Sequence, residues 1–200
     1  MSYALAQHDR MLAGLVIPCR VVAVDLAAAR VRVSDGGDWT SAWVRWHALA
    51  AGKARHWRVP SFGEQGVLVS PSGEPAQGTF VPGLYGTAGA PPDNRDHVEV
   101  WRFDDGGSLV YDWVAHSYTI TLPTGTVTIQ VGSSRAVLTD DAISAEASTL
   151  SAKADMASVE AGCIVLKGQV LIDGSLRVTG DINGGGAIID TTGNTPNHKH

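Results

Sequence analysis

Residues 143–178 read ISAEASTLSAKADMASVEAGCIVLKGQVLIDGSLRV, and no other stretch constrains the architecture so tightly. Its apolar positions alternate in short runs: Ile143, Ala145, Ala147, then Leu150, Ala152, Ala154, Met156 after a slip of phase. Further slips give Val159, Ala161, Cys163, then Ile164, Leu166, then Val170, Ile172, and finally Leu176, Val178. Glu146, Lys153, Asp155, Glu160, Lys167 and Arg177 fall between these runs, where the pleat of a strand points them outward. The Ala-rich part, 145–161, also invites a helical reading. On a helix, however, Leu150, Ala152, Ala154 and Met156 would spread around the circumference instead of sharing a face. Short strands joined by tight corners are therefore expected.

Such strands have a thin core. The last aromatic residue of the 200 is Tyr118, and beyond it the only prolines are Pro123 and Pro196. At about 25 cal/mol per Å² of buried apolar area, a row of Ala and Val does not offset an ordering cost of roughly 1–2 kcal/mol per residue. A lone ribbon would also leave its edges unpaired. A single-chain solenoid should show a repeat of about 20 residues or more, and none is visible. Three copies wound into a triangular prism need no repeat, because symmetry supplies the neighbours, and the narrow interior accounts for the small side chains. The expectation is a homotrimer.

The first half reads differently. Residues 2–13 are a helix candidate with Leu5, Met11 and Leu12 as its apolar contacts, too short to be stable alone. Leu15–Asp25 and Arg30–Ser34 are Val-rich strands, the second with Val31 and Val33 inward and Arg30 and Arg32 outward. Asp35-Gly36-Gly37 turns into a third strand, Trp39–Trp46, followed by a loop over Ala48–Pro60. Gly66–Ser70 and Thr79–Leu84, separated by the turn Pro71-Ser72-Gly73, complete five strands, the number of a small OB barrel. Gly86–Asp96 is a linker broken by Pro91-Pro92. Beyond it, Asp104–Gly107 turns between Val98–Phe103 and Ser108–Trp113. A second hairpin is expected to set Tyr118, Ile120 and Leu122 against Val127, Ile129 and Val131 across Pro123-Thr124-Gly125. The fold class is thus all-β: a short helix plus OB barrel over 1–90, an intertwined triple-stranded β-helix over 91–180, and an apex over 181–200.

Composition excludes several functions. A net charge of −5, all of it arising after residue 100, does not suit a general nucleic-acid binder. The apolar stretch Met11–Cys19 is short, follows Asp9-Arg10 and lacks a cleavage site, so export is not expected and the chain is taken to fold in the cytosol. Cys19 and Cys163 are far apart with no CxxC, and each is expected to be a small buried hydrophobe. Catalysis finds little support. The adjacent carboxylates Asp104/Asp105 and Asp140/Asp141 sit at turns, no G-x-S-x-G surrounds a serine, and the glycines at 180 and 184–186 lack the Lys-Ser/Thr of a phosphate loop. His8, His47, His56, His97 and His116 are scattered. Trp39, Trp43, Trp46 and Trp57 could stack on sugars, as in a glycan-binding fibre, or pack a core or collar.

The chain closes with GDINGGGAIIDTTGNTPNHKH, residues 180–200. His198 and His200 are spaced i, i+2 and leave the same face of an extended chain. In one chain this is an ordinary frayed tail. In three chains converging on an axis it is six imidazoles around a point, a donor set for an octahedral transition ion such as iron rather than four-coordinate zinc.

PSFGEQGVLVSPSGEPAQGTFVPGLYG (60–86), WRFDDGGSLVYD (101–112) and GNTPNHKH (193–200) together resemble the baseplate assembly protein V family. These are the central spikes of Mu-type contractile-tailed phages and related bacteriocins, similar more distantly to type VI secretion spikes. The resemblance implies a homotrimer with an OB collar, a triple-stranded β-helix and an apex holding one iron per trimer through His198 and His200 of three chains. It implies a tail-baseplate protein of the virion, assembled in the bacterial cytoplasm on a hub protein. It further implies a spike that is not an enzyme and that pierces the host outer membrane when the sheath contracts. A glycan-binding or glycan-cleaving tail fibre is the alternative.

Overall fold

The computed structural model describes residues 3–186; His198 and His200, the expected apical ligands, lie outside these residues. Contacts divide the chain after Ser148 into two units.

The first unit opens with helix α1 (Tyr3–Leu15), followed by strands β1 (Val16–Asp25), β2 (Arg30–Ser34), β3 (Arg45–Trp46), β4 (Gln65–Val69) and β5 (Thr79–Leu84). The five strands run in the order β2-β1-β4-β5-β3, and β3 pairs with β5 in parallel. Val31 and Val44 exchange both backbone hydrogen bonds at 2.9 Å, which joins β2 back to the residue just before β3 and closes the sheet into a barrel. The core is Cys19, Val21, Val31, Val33, Val44, Leu68 and Phe80, with Ile17, Val24, Trp39 and Trp46 packed against it. Val31 and Val33 point inward between Arg30 and Arg32, as their alternation demands. Gly66 has no room for a side chain: a Cβ there would lie 2.3 Å from the Val81 carbonyl oxygen and 2.6 Å from the Phe80 ring.

Two local expectations change. The third strand is only two residues long instead of spanning Trp39–Trp46. Ser41 is buried, its Oγ accepting from the Val33 amide at 2.9 Å and donating to the Ala42 carbonyl at 2.7 Å, so a side chain replaces a rung of the ladder. Helix α1 forms, but Leu5, Met11 and Leu12 remain exposed. Its attachment is instead at its C-terminal end, where Gly14 and Gly73 approach so closely that a Cβ on either would strike backbone.

Beyond the barrel come two antiparallel three-stranded meanders. One is β6 (Val98–Arg102), β7 (Ser108–Asp112) and β8 (Ser117–Thr121); the other is β9 (Val127–Val131), β10 (Ser134–Leu138) and β11 (Ile143–Glu146). The hairpin expected across Pro123-Thr124-Gly125 therefore does not form: β8 pairs back to β7 and β9 forward to β10. Each strand is captured by a nearer turn. Asp112 Oδ1 accepts from the Val114 and Ala115 amides to turn the chain into β8. Gly132, at φ 58°, turns β9 directly into β10. Leu122 and Pro123 instead lie against the glycines of the β6–β7 turn.

From Ala147 to Gly186 the chain forms neither strand nor helix, and every residue is exposed. The helical alternative for 145–161 is absent. Of the short strands expected there, only β11 forms within one chain; the apolar rows beyond it find no ladder partner among the described residues.

Candidate functional site

Chemistry-bearing residues of the described chain sit mostly in structural roles. Asp105 Oδ1 accepts from the Gly107 amide, and Asp141 accepts from the Thr139 hydroxyl, so both carboxylate pairs belong to turns. Trp39 and Trp46 join the barrel core, whereas Trp43 lies exposed beside the Arg32 guanidinium and Trp57 lies exposed 5.4 Å from Trp46, ring to ring. Among the described residues no three His, Cys, Asp or Glu side chains are placed to hold a metal ion. Cys19 is buried, and burial pushes its thiol up to about 11. Cys163 is exposed in the single chain, against the expectation of a buried residue. No described helix is long and apolar enough to cross a membrane.

A polar clamp ties the linker to the first meander. Arg95 reaches Asp93 at 2.8 Å and Asp112 at 3.3 Å, and His97 Nδ1 lies 3.0 Å from Asp96. The Arg95 guanidinium, helped by backbone amides, holds the Asp93 carboxyl well below the usual carboxylate range. Asp112 is lowered chiefly by the Ala115 amide; burial opposes this, and the Val114 amide, His97 and Arg95 each add a smaller lowering effect. Composition gives no hint of this cluster, because Arg95 and Asp112 are 17 residues apart.

The dominant feature is unburied apolar surface. Leu150, Met156, Val159, Leu166, Leu171 and Leu176 are each at least 65% exposed, and so are Ile129 and Ile143 earlier in the sequence. Monomeric proteins seldom leave so much apolar surface open; surfaces of this kind bind other proteins. A second, aromatic surface escaped the sequence reading. Glu99, Trp101, Leu109, Tyr111 and Tyr118 line an open cleft of about 360 Å³ on the β6–β7–β8 sheet. The alternation of Glu99 and Trp101 along β6, read together with Tyr111 and Tyr118, was the available signal.

Two family models match parts of the chain. Residues 17–85 match the type VI secretion system/phage-baseplate injector OB domain, and residues 99–184 match the Gp138 beta helical trimerization domain. Along the chain, a match to an injector OB domain is thus followed by a match to a β-helical trimerization domain, and the first falls on the five-stranded barrel. The chain is also similar to the spike protein of Escherichia phage P2, at 33% identity over 121 residues. That alignment covers 60% of this chain and 56% of the phage P2 protein, so it spans little more than half of the relative.

Proposed function

We propose that this chain is the central spike of a contractile tail: a homotrimeric, non-enzymatic needle that pierces the host outer membrane on sheath contraction. One observation carries the reading. The stretch matched as a trimerization domain includes the segment whose apolar rows stand exposed and unpaired in a single chain. Three such chains supply one another's missing ladder partners, and interchain hydrogen bonds then spread an axial load along the rod. The barrel supplies a collar on which a hub protein of the baseplate would seat. With the apolar rows turned to the interior of the rod, crossing an apolar layer of about 30 Å would be mechanical and transient.

His198 and His200 of the three chains would hold one iron at the apex. Six imidazole nitrogens suit an octahedral first-row ion, and such an ion would tie three termini together. The functional test is removal of this chain from the particle that encodes it. The expected result is loss of host penetration, with antibody to the intact chain marking the membrane-facing end of the tail. Particles that lack the chain and still penetrate would overturn the proposal.

A further inference from the structure

We propose that the open face of the β6–β7–β8 sheet seats a second copy of this chain, with Trp101, Tyr111 and Tyr118 as its anchors; this rests on the trimeric reading above. The ladder register sets Glu99, Tyr111 and Tyr118 in one row and Trp101, Leu109 and Ile120 in the next but one, which places all six on the same face of the sheet. The opposite face carries Val98, Val100, Val110 and Asp112, which are half-buried by their own chain, and Asp112 is held by the linker clamp. The aromatic face is more open: Leu109 is half-buried and the His56 ring lies against Trp101, but Trp101, Tyr111, Tyr118 and Ile120 are exposed.

Three observations select the occupant. The trimerization match begins at residue 99, so β7, β8 and all of β6 but Val98 lie inside the stretch matched to self-association. The Trp101 indole is prepared for burial: its Nε1 donates to Glu99 Oε1 at 3.0 Å, and the His56 ring meets it edge-on at 6.0 Å. A ring so fixed is covered without orphaning its N–H and with little entropy left to lose, as in the aromatic anchors of protein interfaces. The lining is also mostly apolar and aromatic. Beside the tyrosine hydroxyls its one polar side chain is Glu99, one oxygen of which already accepts from Trp101, whereas a ligand such as a sugar presents many polar groups.

The test is hydroxyl-radical footprinting of the full chain together with its mass in solution. The expected result is a three-chain mass, with Trp101, Tyr111 and Tyr118 protected relative to the urea-unfolded chain. Tyr118→Asp should weaken association roughly thirtyfold or more, the loss that removal of an interface anchor brings, while Tyr118→Phe retains it. A three-chain mass with these rings as reactive as in the unfolded chain overturns the inference and leaves the trimer standing. Protection that appears only when an oligosaccharide is added assigns the cleft to glycan, and overturns it as well. A single-chain mass removes both readings.

Discussion

Ile172→Ala separates a shaft built by three chains from one built by a single chain. In the isolated chain Ile172 is 52% exposed, in a segment without ladder partners, so truncating it there removes little buried area and should cost within about 0.5 kcal/mol, as surface changes do. Inside a three-chain prism, three copies of Ile172 face a narrow interior at one level. A buried Ile→Ala costs about 2–5 kcal/mol per site, so the assembled rod should lose roughly 6–15 kcal/mol. Lys167→Ala is the control, because Lys167 lies in the outward phase and leaves the interior unchanged. Guanidinium unfolding followed by circular dichroism, at two protein concentrations, reads the difference. The expected outcome is a large fall in midpoint for Ile172→Ala and almost none for Lys167→Ala. Equal, small shifts for both variants would refute the interior placement of Ile172.

Other consequences follow from the same structure. Gly66→Ala forces a methyl group into the Phe80 ring and the Val81 carbonyl, so the barrel should lose about 1–3 kcal/mol or rearrange, seen as a lower urea midpoint in barrel tryptophan fluorescence. Asp112 has a lowered pKa in the folded chain, so its ionised form contributes stability above the ordinary carboxylate pKa of about 4, and that contribution disappears as pH falls through the folded value. The stability gap between wild type and Asp112→Asn should accordingly hold from pH 5 to 7 and shrink in acid, as urea melts across about pH 3–7 would show. Cys19, pushed up to about 11 by burial, should resist thiol reagents at pH 8 until the barrel unfolds. Cys163 should react quickly in a dissociated chain and slowly in the assembled rod. For the proposed apical site, intact chain should carry one iron per three chains by metal analysis, and changing His198 and His200 together to Ala should abolish it while the trimer persists; a double variant that keeps one metal per three chains would exclude these ligands.

The barrel was legible where side-chain pattern alone sets the strand. Val31 and Val33 alternate with arginines and are buried as that alternation requires. It was illegible where a side chain competes with the backbone: nothing in Trp39–Trp46 announces that Ser41 will replace a rung. The misplaced hairpin has a similar cause. Tyr118-Ile120-Leu122 and Val127-Ile129-Val131 alternate equally well for any partner, and the pairing was settled by two nearer turns, one of which rests on the Asp112 carboxylate. Strand β10 was overlooked because Ser134-Arg135-Ala136 carries little apolar contrast. Beyond Ala147 the sequence shows which side chains want to be inside, and one chain offers no inside to put them in. The aromatic face on β6–β8 and the Arg95 clamp depend on register and on contacts between distant residues, which a linear pattern does not report.

Sedimentation equilibrium on the intact chain at micromolar concentration, with hydrogen exchange read across residues 143–178, addresses self-association most directly. The expected result is three times the chain mass and slow exchange throughout that segment. One chain mass with the same segment equally protected would refute threefold pairing.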